Sequence, residues 1–353
     1  MEISFDFLPI MLGGSCFTFS RDEARENDFI GERRRDTFNR TIAKKSTAYF
    51  HNLHSTCKVQ IETGGQRSCE SFDKRSLHMP ELQTLLTGLA FGESPRWHED
   101  RLWFSNWGTQ EIVAVDLEGQ SEVMTRVPTT IPFCIDWLPD GRLLVVSGRE
   151  GLLLRREPDG ELVTHADLRS LADIWNEIVV DGRGNIYVNG GSFNAPGIIA
   201  LLTPNGSVRQ VADNIAFPNG MAVTSDNKTL IVAESHGNRL TAFDIDGDGG
   251  LSNRRVWAAL EGAAPDGICL DAEGAVWYGD VPNKCCVRVR EGGEVLQTIH
   301  LDRGCFACML GGGKKQTLFL MVAEWRGFEH MADQTRTGQI LTTRAPAPGV
   351  GWP

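Results

Sequence analysis

The sequence predicts an all-β protein, a six-bladed β-propeller with four-stranded antiparallel blades. A unit of one charged or Gly-rich turn and one short apolar run recurs six times after residue 84. Successive units start about 40 to 46 residues apart, which is the period of a four-stranded blade. No linker divides residues 84–345, and a pair of β-sandwiches, the competing fold, does not predict such regular spacing.

Each repeat contains two hairpins. The first turns begin at His98, Pro139, Asp181, Ser225, Asp271 and Gly312. The second hairpin has Asp-Gly or Asn-Gly turns in several repeats, for example at Asp159-Gly160 and Asn205-Gly206. These dipeptides between apolar runs are strong hairpin signals. Two hairpins per repeat give four strands, and the strand before the first turn is expected to line the central channel.

The domain boundaries follow from where this pattern starts and stops. Residues 79–345 form the predicted propeller, and residues 346–353 form a tail. Residues 1–78 are densely charged around positions 21–36 and show no sustained period, which predicts a disordered extension, or one that is absent from the native protein. Met79-Pro80 would serve as a natural start, and mass spectrometry of the native N-terminus would test this.

Composition sets limits on partners and compartment. The formal net charge is −11, whereas a nucleic-acid partner would require a basic face. We find no run of about 18 to 20 apolar residues and no signal peptide, so the chain is expected to be cytoplasmic and independent of membranes. The nine cysteines are odd in number and include one C-x-x-C, Cys305 to Cys308, without a second pair. Buried structural thiols are therefore expected.

Four blades carry an oxygen-bearing side chain at the same place in the repeat. Glu93, Asn176 and Asp266 stand about five residues before their turns, and Asn219 stands about six residues before its turn. The inner strands start at one rim of the channel, so these side chains should meet there. Taken singly, the Asn-Gly and Asp-Gly pairs would be ordinary turns, and Glu93 would be a solvated loop carboxylate.

Two carboxylates and two amide oxygens form a set of hard ligands that suits Ca²⁺. Zn²⁺, Mn²⁺ and Mg²⁺ stay open as alternatives. A second calcium-like stretch, Asp244 to Gly249, imitates the start of an EF-hand loop. Its twelfth position is Arg255 where a Glu is required, so it is interpreted as a hairpin turn.

The segments around the four ligands resemble the senescence marker protein/gluconolactonase/luciferin-regenerating enzyme-like family. The segments are Gly92 to Trp97, Asn176 to Asp181, Phe217 to Met221 and Pro265 to Asp271. The resemblance runs from about Leu82 to Thr343. It implies a six-bladed propeller with one divalent metal in the channel, and hydrolysis of a small-molecule lactone or ester. By position, Glu93, Asn219 and Asp266 correspond to core ligands, and Asn176 to an asparagine that contacts metal or substrate.

The resemblance also points to differences. Relatives that open sugar lactones often hold an arginine two residues before the asparagine, where this chain has Ile174, so a polyhydroxylated substrate is in doubt. Glu177 stands where many relatives have Asp and is expected in the second layer around the metal.

The expected chemistry is attack by water on a carbonyl polarised by the metal, with Asp266 activating the water. A direct nucleophilic role for Asp266 is an alternative. Phosphotriester hydrolysis on the same ligands and a non-catalytic binding propeller are alternative functions. The further site residues that we predict are Glu177, His236, Asn106, Trp107, Phe193 and Cys308.

Overall fold

The computed structural model describes residues 81–192, 195–331 and 333–352. They belong to one compact unit, Arg75–Pro353. The predicted extension, residues 1–78, its boundary at residue 79 and the predicted site residue Phe193 lie outside the described residues.

The predicted fold is confirmed: six sheets of antiparallel strands form the six blades, and the strands are numbered β1–β25 in chain order. Blade 1 contains β2 (Gly92–His98), β3 (Arg101–Asn106), β4 (Glu111–Val115) and β5 (Ser121–Arg126). Blade 2 contains β6 (Phe133–Trp137), β7 (Leu143–Ser147), β8 (Leu152–Arg156) and β9 (Leu162–Asp167). Blade 3 contains β10 (Ile174–Val180), β11 (Ile186–Ser192), β12 (Ala195–Leu202) and β13 (Val208–Ile215).

The second half repeats the arrangement. Blade 4 contains β14 (Pro218–Val223), β15 (Thr229–Glu234), β16 (Arg239–Ile245) and β17 (Leu251–Ala259). Blade 5 contains β18 (Pro265–Asp271), β19 (Val276–Asp280), β20 (Cys285–Val289) and β21 (Val295–His300). Blade 6 contains β22 (Gly304–Gly311), β23 (Thr317–Ala323), β24 (Gly338–Arg344) and, as its outermost strand, β1 (Gln83–Leu89). Because β1 precedes blade 1 and pairs with β24, both ends of the propeller sequence meet in blade 6.

The six innermost strands β2, β6, β10, β14, β18 and β22 pack against one another in a closed ring. Each predicted first turn lies between the innermost strand and the second strand of its blade. In four of these turns an aspartate side chain accepts a hydrogen bond from the backbone N–H two residues later; the residues are Asp140, Asp181, Asp226 and Asp271. Aspartate favours turns for this reason.

The hydrophobic core lies between successive blades. Both faces of a middle strand are covered by neighbouring blades, so β7 is buried along its whole length. Trp175 and Trp277 are fully buried in these layers. The six described cysteines are also free and buried, as the prediction of structural thiols requires. No helix among the described residues is long and apolar enough to cross a membrane.

The C-terminal residues are part of the propeller's packing. The short strand β25 (Gly349–Val350) pairs with the end of β18 on its channel side. Trp352 then exchanges two backbone hydrogen bonds with Val223, the last residue of β14. The sequence pattern predicts only a tail here, because two-residue pairings leave no periodic signal. The segment lies at the opposite end of the inner strands from the predicted ligands.

We expect Trp352→Ala to destabilise the propeller, because the indole packs beside Gly182 and is partly buried in the layer between blades 3 and 4. Loss of this contact should lower the free energy of unfolding by roughly 2 kcal/mol and the Tm by about 5 °C. Thermal unfolding followed by circular dichroism measures this. Leu117→Ala, a truncation of an exposed turn residue, is the control. Equal Tm values for the two variants would contradict the assigned packing.

Candidate functional site

In four blades the innermost strand carries one extra residue at the predicted ligand. On β2, Glu93 and Arg96 pair with Ser105 and Trp103, so three steps along β2 oppose two steps along β3. The same shift lies between Trp175 and Ile178, between Pro218 and Met221, and between Pro265 and Ile268. Such a β-bulge takes a residue out of the ladder and re-aims its side chain. Asn176, Asn219 and Asp266 are among the unpaired residues, whereas Glu93 stays paired and directly precedes the bulge of β2. By contrast, β6 of blade 2 pairs without a shift.

The four predicted ligands meet at one cavity of about 690 Å³. Glu93, Asn176, Asn219 and Asp266 all line it. The Nδ2 of Asn176 donates to the Oδ1 of Asn219 at 3.1 Å, which joins blades 3 and 4 directly. In blade 6 the corresponding shift falls at Phe306, so a ring lines the cavity there in place of an oxygen ligand.

Glycine follows two of the predicted ligands because adjacent blades come very close. A Cβ added to Gly220 would lie 2.6 Å from the carbonyl oxygen of Asp266. A Cβ added to Gly267 would lie 2.5 Å from the Cβ of Ala307. Both glycines stand inside inner strands, so the Asn-Gly and Asp-Gly pairs are not hairpin turns. Their glycines permit the close approach that brings the blades together.

The side chain of Asn219 is held by its neighbours. Its Nδ2 donates to the Oγ of Ser235 at 3.4 Å, and that hydroxyl donates to the carbonyl oxygen of Pro265 at 2.7 Å. The Nδ2 of Asn189 donates to the backbone carbonyl of Asn219 at 2.5 Å. The Oδ1 of Asn219 accepts one hydrogen bond, from Asn176, and its second lone pair can serve a metal ion.

Neither carboxylate of the set forms an ion pair with a described residue, and the charge of Arg96 offsets only part of the effect of burial on Glu93. Burial and, next, the Glu177 carboxylate raise the pKa of Glu93 to about 8. Burial and, next, Glu93 raise the pKa of Asp266 well above its usual range. Within the described part of the chain, Asp266 forms no ion pair, and the buried guanidinium of Arg96 pairs with Glu177. Excess negative charge at one cavity is the condition that a bound cation relieves.

The chemistry of the donors therefore fits a hard divalent cation. Among the described residues, no group of three or more His, Cys, Asp and Glu side chains is arranged to hold a metal. The set accordingly depends on amide oxygens to supplement its two carboxylates. Carboxylate and amide oxygens are typical Ca²⁺ ligands, whereas Zn²⁺ in proteins is usually held with nitrogen or sulfur donors. Metal binding by these four residues stays a prediction.

Glu177 lies behind the cavity. Its Oε1 accepts from Arg96 at 3.0 Å, and the same guanidinium nitrogen donates to the carbonyl oxygen of Ile178 at 2.7 Å. Both side chains are buried. The ion pair links blades 1 and 3 close to Glu93 and Asn176, so its contribution is to position the strands that carry these residues.

Asn106 and Cys308 also lie behind the cavity wall. The Oδ1 of Asn106 accepts from the backbone N–H groups of Ala90 and Phe91, each at 3.1 Å. The thiol of Cys308 is buried and donates to the carbonyl oxygen of Gly267 at 3.7 Å. Both residues support the backbone around the site and do not line the cavity.

Trp107 and His236 do line the cavity. The indole Nε1 of Trp107 donates to the carbonyl oxygen of Phe133 at 2.6 Å, which fixes the ring at the wall. The imidazole of His236 is exposed at the mouth and stacks on Phe217, with 4.3 Å between ring centroids. Of the predicted peripheral residues, these two are placed where a substrate could touch them.

Several cavity residues escape the sequence prediction: Arg149, Phe217, Phe306, Trp325 and Phe328. Two of them had an available signal, because Phe217 directly precedes the Pro218 bulge and Phe306 occupies the ligand position of blade 6. Trp325 and Phe328 belong to the loop between β23 and β24, which has no periodic pattern. Arg149 lies in the turn between β7 and β8, where a charged residue is ordinarily solvated.

The backbone at Phe217 is strained. Its φ angle is 59°, in the left-handed region that a bulky residue rarely adopts. The backbone N–H of Ala216 donates to the Oε2 of Glu234 at 2.8 Å, and the N–H of Ser235 donates to the carbonyl oxygen of Phe217 at 3.1 Å. These bonds hold the ring of Phe217 at the cavity.

Glu234 is the buried anchor of this segment. It is fully buried and forms ion pairs with Arg239 at 2.8 Å and with Arg254 at 3.0 Å. Burial alone would raise the pKa of Glu234, but the hydrogen bonds from Arg239 and Thr241 lead the contributions that lower it to about 2. The folded-state pKa is below the ordinary value of 4.5, so the charged carboxylate stabilises the fold above about pH 4.5. This stability is lost as the pH falls toward 2.

We expect Glu234→Gln to lower the free energy of unfolding at pH 7 by about 2 kcal/mol, a figure reduced for the partly exposed arginines. The variant should also lose stability less steeply than the parent protein between pH 5 and pH 3, because its amide does not titrate. Urea unfolding at several pH values measures both effects. Glu294→Gln, at an exposed ion pair with Arg290, is the control. Parallel stability curves for parent and variant would contradict the assignment.

Comparison with known proteins matches residues 91–324 to the family described as the SMP-30/Gluconolactonase/LRE-like region. Pentonolactonase XacC from Haloferax volcanii is 25% identical over 218 residues, which are 60% of this chain and 73% of that protein. Regucalcin from Danio rerio is 30% identical over 175 residues, 46% of this chain and 59% of that protein. A 6-deoxy-6-sulfogluconolactonase from Pseudomonas putida is 28% identical over 148 residues, 40% of this chain and 51% of that protein.

The alignments to the last two relatives thus span little more than half of their length. Among solved structures, a luciferin-regenerating enzyme superposes with a TM-score of 0.68 at 18% identity, over 77% of this chain and 98% of its own. A calcium-binding regucalcin from Agrobacterium tumefaciens has a TM-score of 0.65 at 19% identity, over 77% and 95%. These structures share the fold, and the family match covers most of the propeller. The chain therefore belongs to the SMP-30/gluconolactonase/LRE-like family.

Proposed function

We propose that this protein is a metal-dependent hydrolase that opens a lactone or a similar ester. The observation that carries the proposal is the meeting of four oxygen donors, each in or beside a bulge of an inner strand, at one cavity whose other walls are mainly apolar. A buried cluster of carboxylates serves no purpose in a scaffold, because burying uncompensated charge is costly. At a reaction centre the same carboxylates can bind a metal ion and accept a proton.

Glu93, Asn176, Asn219 and Asp266 would hold the metal, with Ca²⁺ as the proposed ion. When bound, a divalent cation supplies positive charge that polarises an ester carbonyl and stabilises the negative charge developing on its oxygen. Glu93, which is buried, would neutralise part of the positive charge of the cation. The apolar wall excludes water and strengthens electrostatic interactions within the cavity.

Asp266 is the proposed general base. Its carboxylate lines the cavity, and no hydrogen bond from the described residues engages it. It can therefore accept a proton from an attacking water molecule. The hydroxide adds to the carbonyl carbon, the acyl C–O bond breaks, and the proton returns to the leaving alkoxide. A hydroxy acid is the product of a lactone.

The names of the relatives support this reaction class. Two of the relatives described above are named as lactonases, a pentonolactonase and a 6-deoxy-6-sulfogluconolactonase. One structural neighbour is described as a calcium-binding protein. These names point to a small-molecule lactone substrate and a divalent metal for this chain, which the two experiments below test.

Asp266→Asn should lower kcat/KM for lactones by about 100-fold or more, because an amide cannot accept the proton. The measurement is hydrolysis of a panel of lactones and aryl esters by the purified protein, with Asp159→Asn, in an exposed turn of blade 2, as the control. If Asp266→Asn and the parent protein hydrolyse every substrate equally well, Asp266 is not the base. Turnover of phosphotriesters alone would favour the alternative hydrolase.

Removal of the metal should abolish activity and lower the Tm, and Ca²⁺ should restore both. Saturation at about 100 times Kd stabilises a protein by about 2.7 kcal/mol. Glu93→Gln should weaken Ca²⁺ binding in isothermal titration calorimetry by about tenfold or more, whereas the exposed variant Glu294→Gln should bind as the parent protein does. Ca²⁺ binding without turnover of any substrate would favour a binding propeller, and no binding would overturn the proposal.

A further inference from the structure

The walls of the cavity beyond the four predicted ligands are mainly apolar. Blade 2 and blade 3 contribute Ile131, Pro132 and Ile174, and blade 5 contributes Val281 and Pro282. The aromatic side chains on the wall are Trp107, Phe217, Phe306, Trp325 and Phe328. Cavities of this size and lining take largely apolar ligands that are oriented by a few polar groups.

The aromatic rings form a continuous row around the mouth of the cavity. The ring of Phe306 lies 5.9 Å from Trp325, which meets Phe328 edge to face at 5.1 Å. Phe328 lies 6.1 Å from Phe217, and Phe217 stacks on His236. The row of aromatic rings thus runs from blade 6 past blade 5 to blade 4. These separations lie within the range of favourable aromatic contacts.

Two of these rings are unusually exposed. Trp325 is 40% exposed and Phe328 is 51% exposed, and they are the two aromatic residues among the exposed large hydrophobic side chains in the described part of the chain. Clustered exposed apolar surface at a cavity mouth marks a binding site. The strain at Phe217 is a second sign, because unfavourable backbone conformations are retained at functional sites.

Few polar side chains are available for a hydroxylated substrate. Apart from the predicted ligands, the described wall offers Arg149, Ser192, Ser235 and His236. The hydroxyl of Ser235 is already donated to the carbonyl oxygen of Pro265 at 2.7 Å. A sugar lactone would bury several hydroxyl groups against apolar side chains, and each unsatisfied hydroxyl costs binding free energy.

We propose that the substrate is a lactone or ester with an extended alkyl or aryl substituent. The substituent binds along the row of aromatic rings while the carbonyl group reaches the four predicted ligands. This inference rests on the proposed hydrolysis and names its substrate class. Phe217, Trp325 and Phe328 are the residues that determine this preference.

The test is a series of γ-lactones with increasing alkyl chain length, together with dihydrocoumarin and glucono-δ-lactone, each assayed with Ca²⁺ present. We expect kcat/KM to rise roughly threefold for each added methylene over the first several carbons, and the sugar lactone to be the poorest substrate. A flat series, or a sugar lactone hydrolysed as fast as the long-chain lactones, would overturn the substrate class and leave the proposed hydrolysis standing. No turnover of any member would instead contradict the proposed function.

Variants of Trp325 and Phe328, the two exposed aromatic residues at the cavity mouth, give a second test. Phe328→Ser and Trp325→Ser should each reduce the ratio of kcat/KM for the longest lactone to kcat/KM for γ-butyrolactone by roughly tenfold. Val256→Ser, which removes an exposed apolar side chain on strand β17, is the matched control and should keep the ratio of the parent protein. Thermal unfolding of each variant verifies folding. If both variants keep the kcat/KM ratio of the parent protein, Trp325 and Phe328 do not select the substrate.

Discussion

The extra residue in the innermost strand of the four blades that carry the predicted ligands is the constraint on which the candidate site depends. In a regular strand, side chains alternate strictly between the two faces, and in a propeller both faces are covered by neighbouring blades. A polar side chain at these positions would therefore be buried between blades. One inserted residue near the start of β10, β14 and β18 breaks the alternation at the predicted ligand, and the one in β2 directly follows Glu93. The regular remainder of each strand then packs the blade.

The same region contains buried charged side chains of two kinds, those that form an ion pair and those that do not. Arg96 and Glu177 are buried together and satisfy one another, which links the inner strands of blades 1 and 3. Glu93 and Asp266 have no such ion-pair partner among the described residues, and burial raises the pKa of both. The Arg96–Glu177 ion pair links the inner strands. The carboxylates without an ion pair are the reason for proposing a cation site.

Activity and specificity have separate structural origins in this interpretation. The oxygen donors come from the ring of inner strands, whose positions are set by packing on both sides. The substrate-facing aromatic rings come largely from segments between strands, including the loop between β23 and β24 that carries Trp325 and Phe328. Loops tolerate substitution better than packed strands. Substitutions in this loop would therefore alter the proposed substrate preference without disturbing the strands that carry the predicted ligands.

The sequence by itself determined the number of blades, the position of the first turns and the four residues that meet at the cavity. These features repeat with the period of a blade, and a repeated position needs no knowledge of distant contacts. Only the tertiary structure decided which neighbours face the cavity. It placed Glu177, Asn106 and Cys308 behind the wall, and it brought Phe217 and Phe328 within 6.1 Å of each other although they are far apart in the chain. It likewise paired the C-terminal strand β25 with β18. Such contacts arise from the closure of the ring, which joins residues of no fixed sequence spacing.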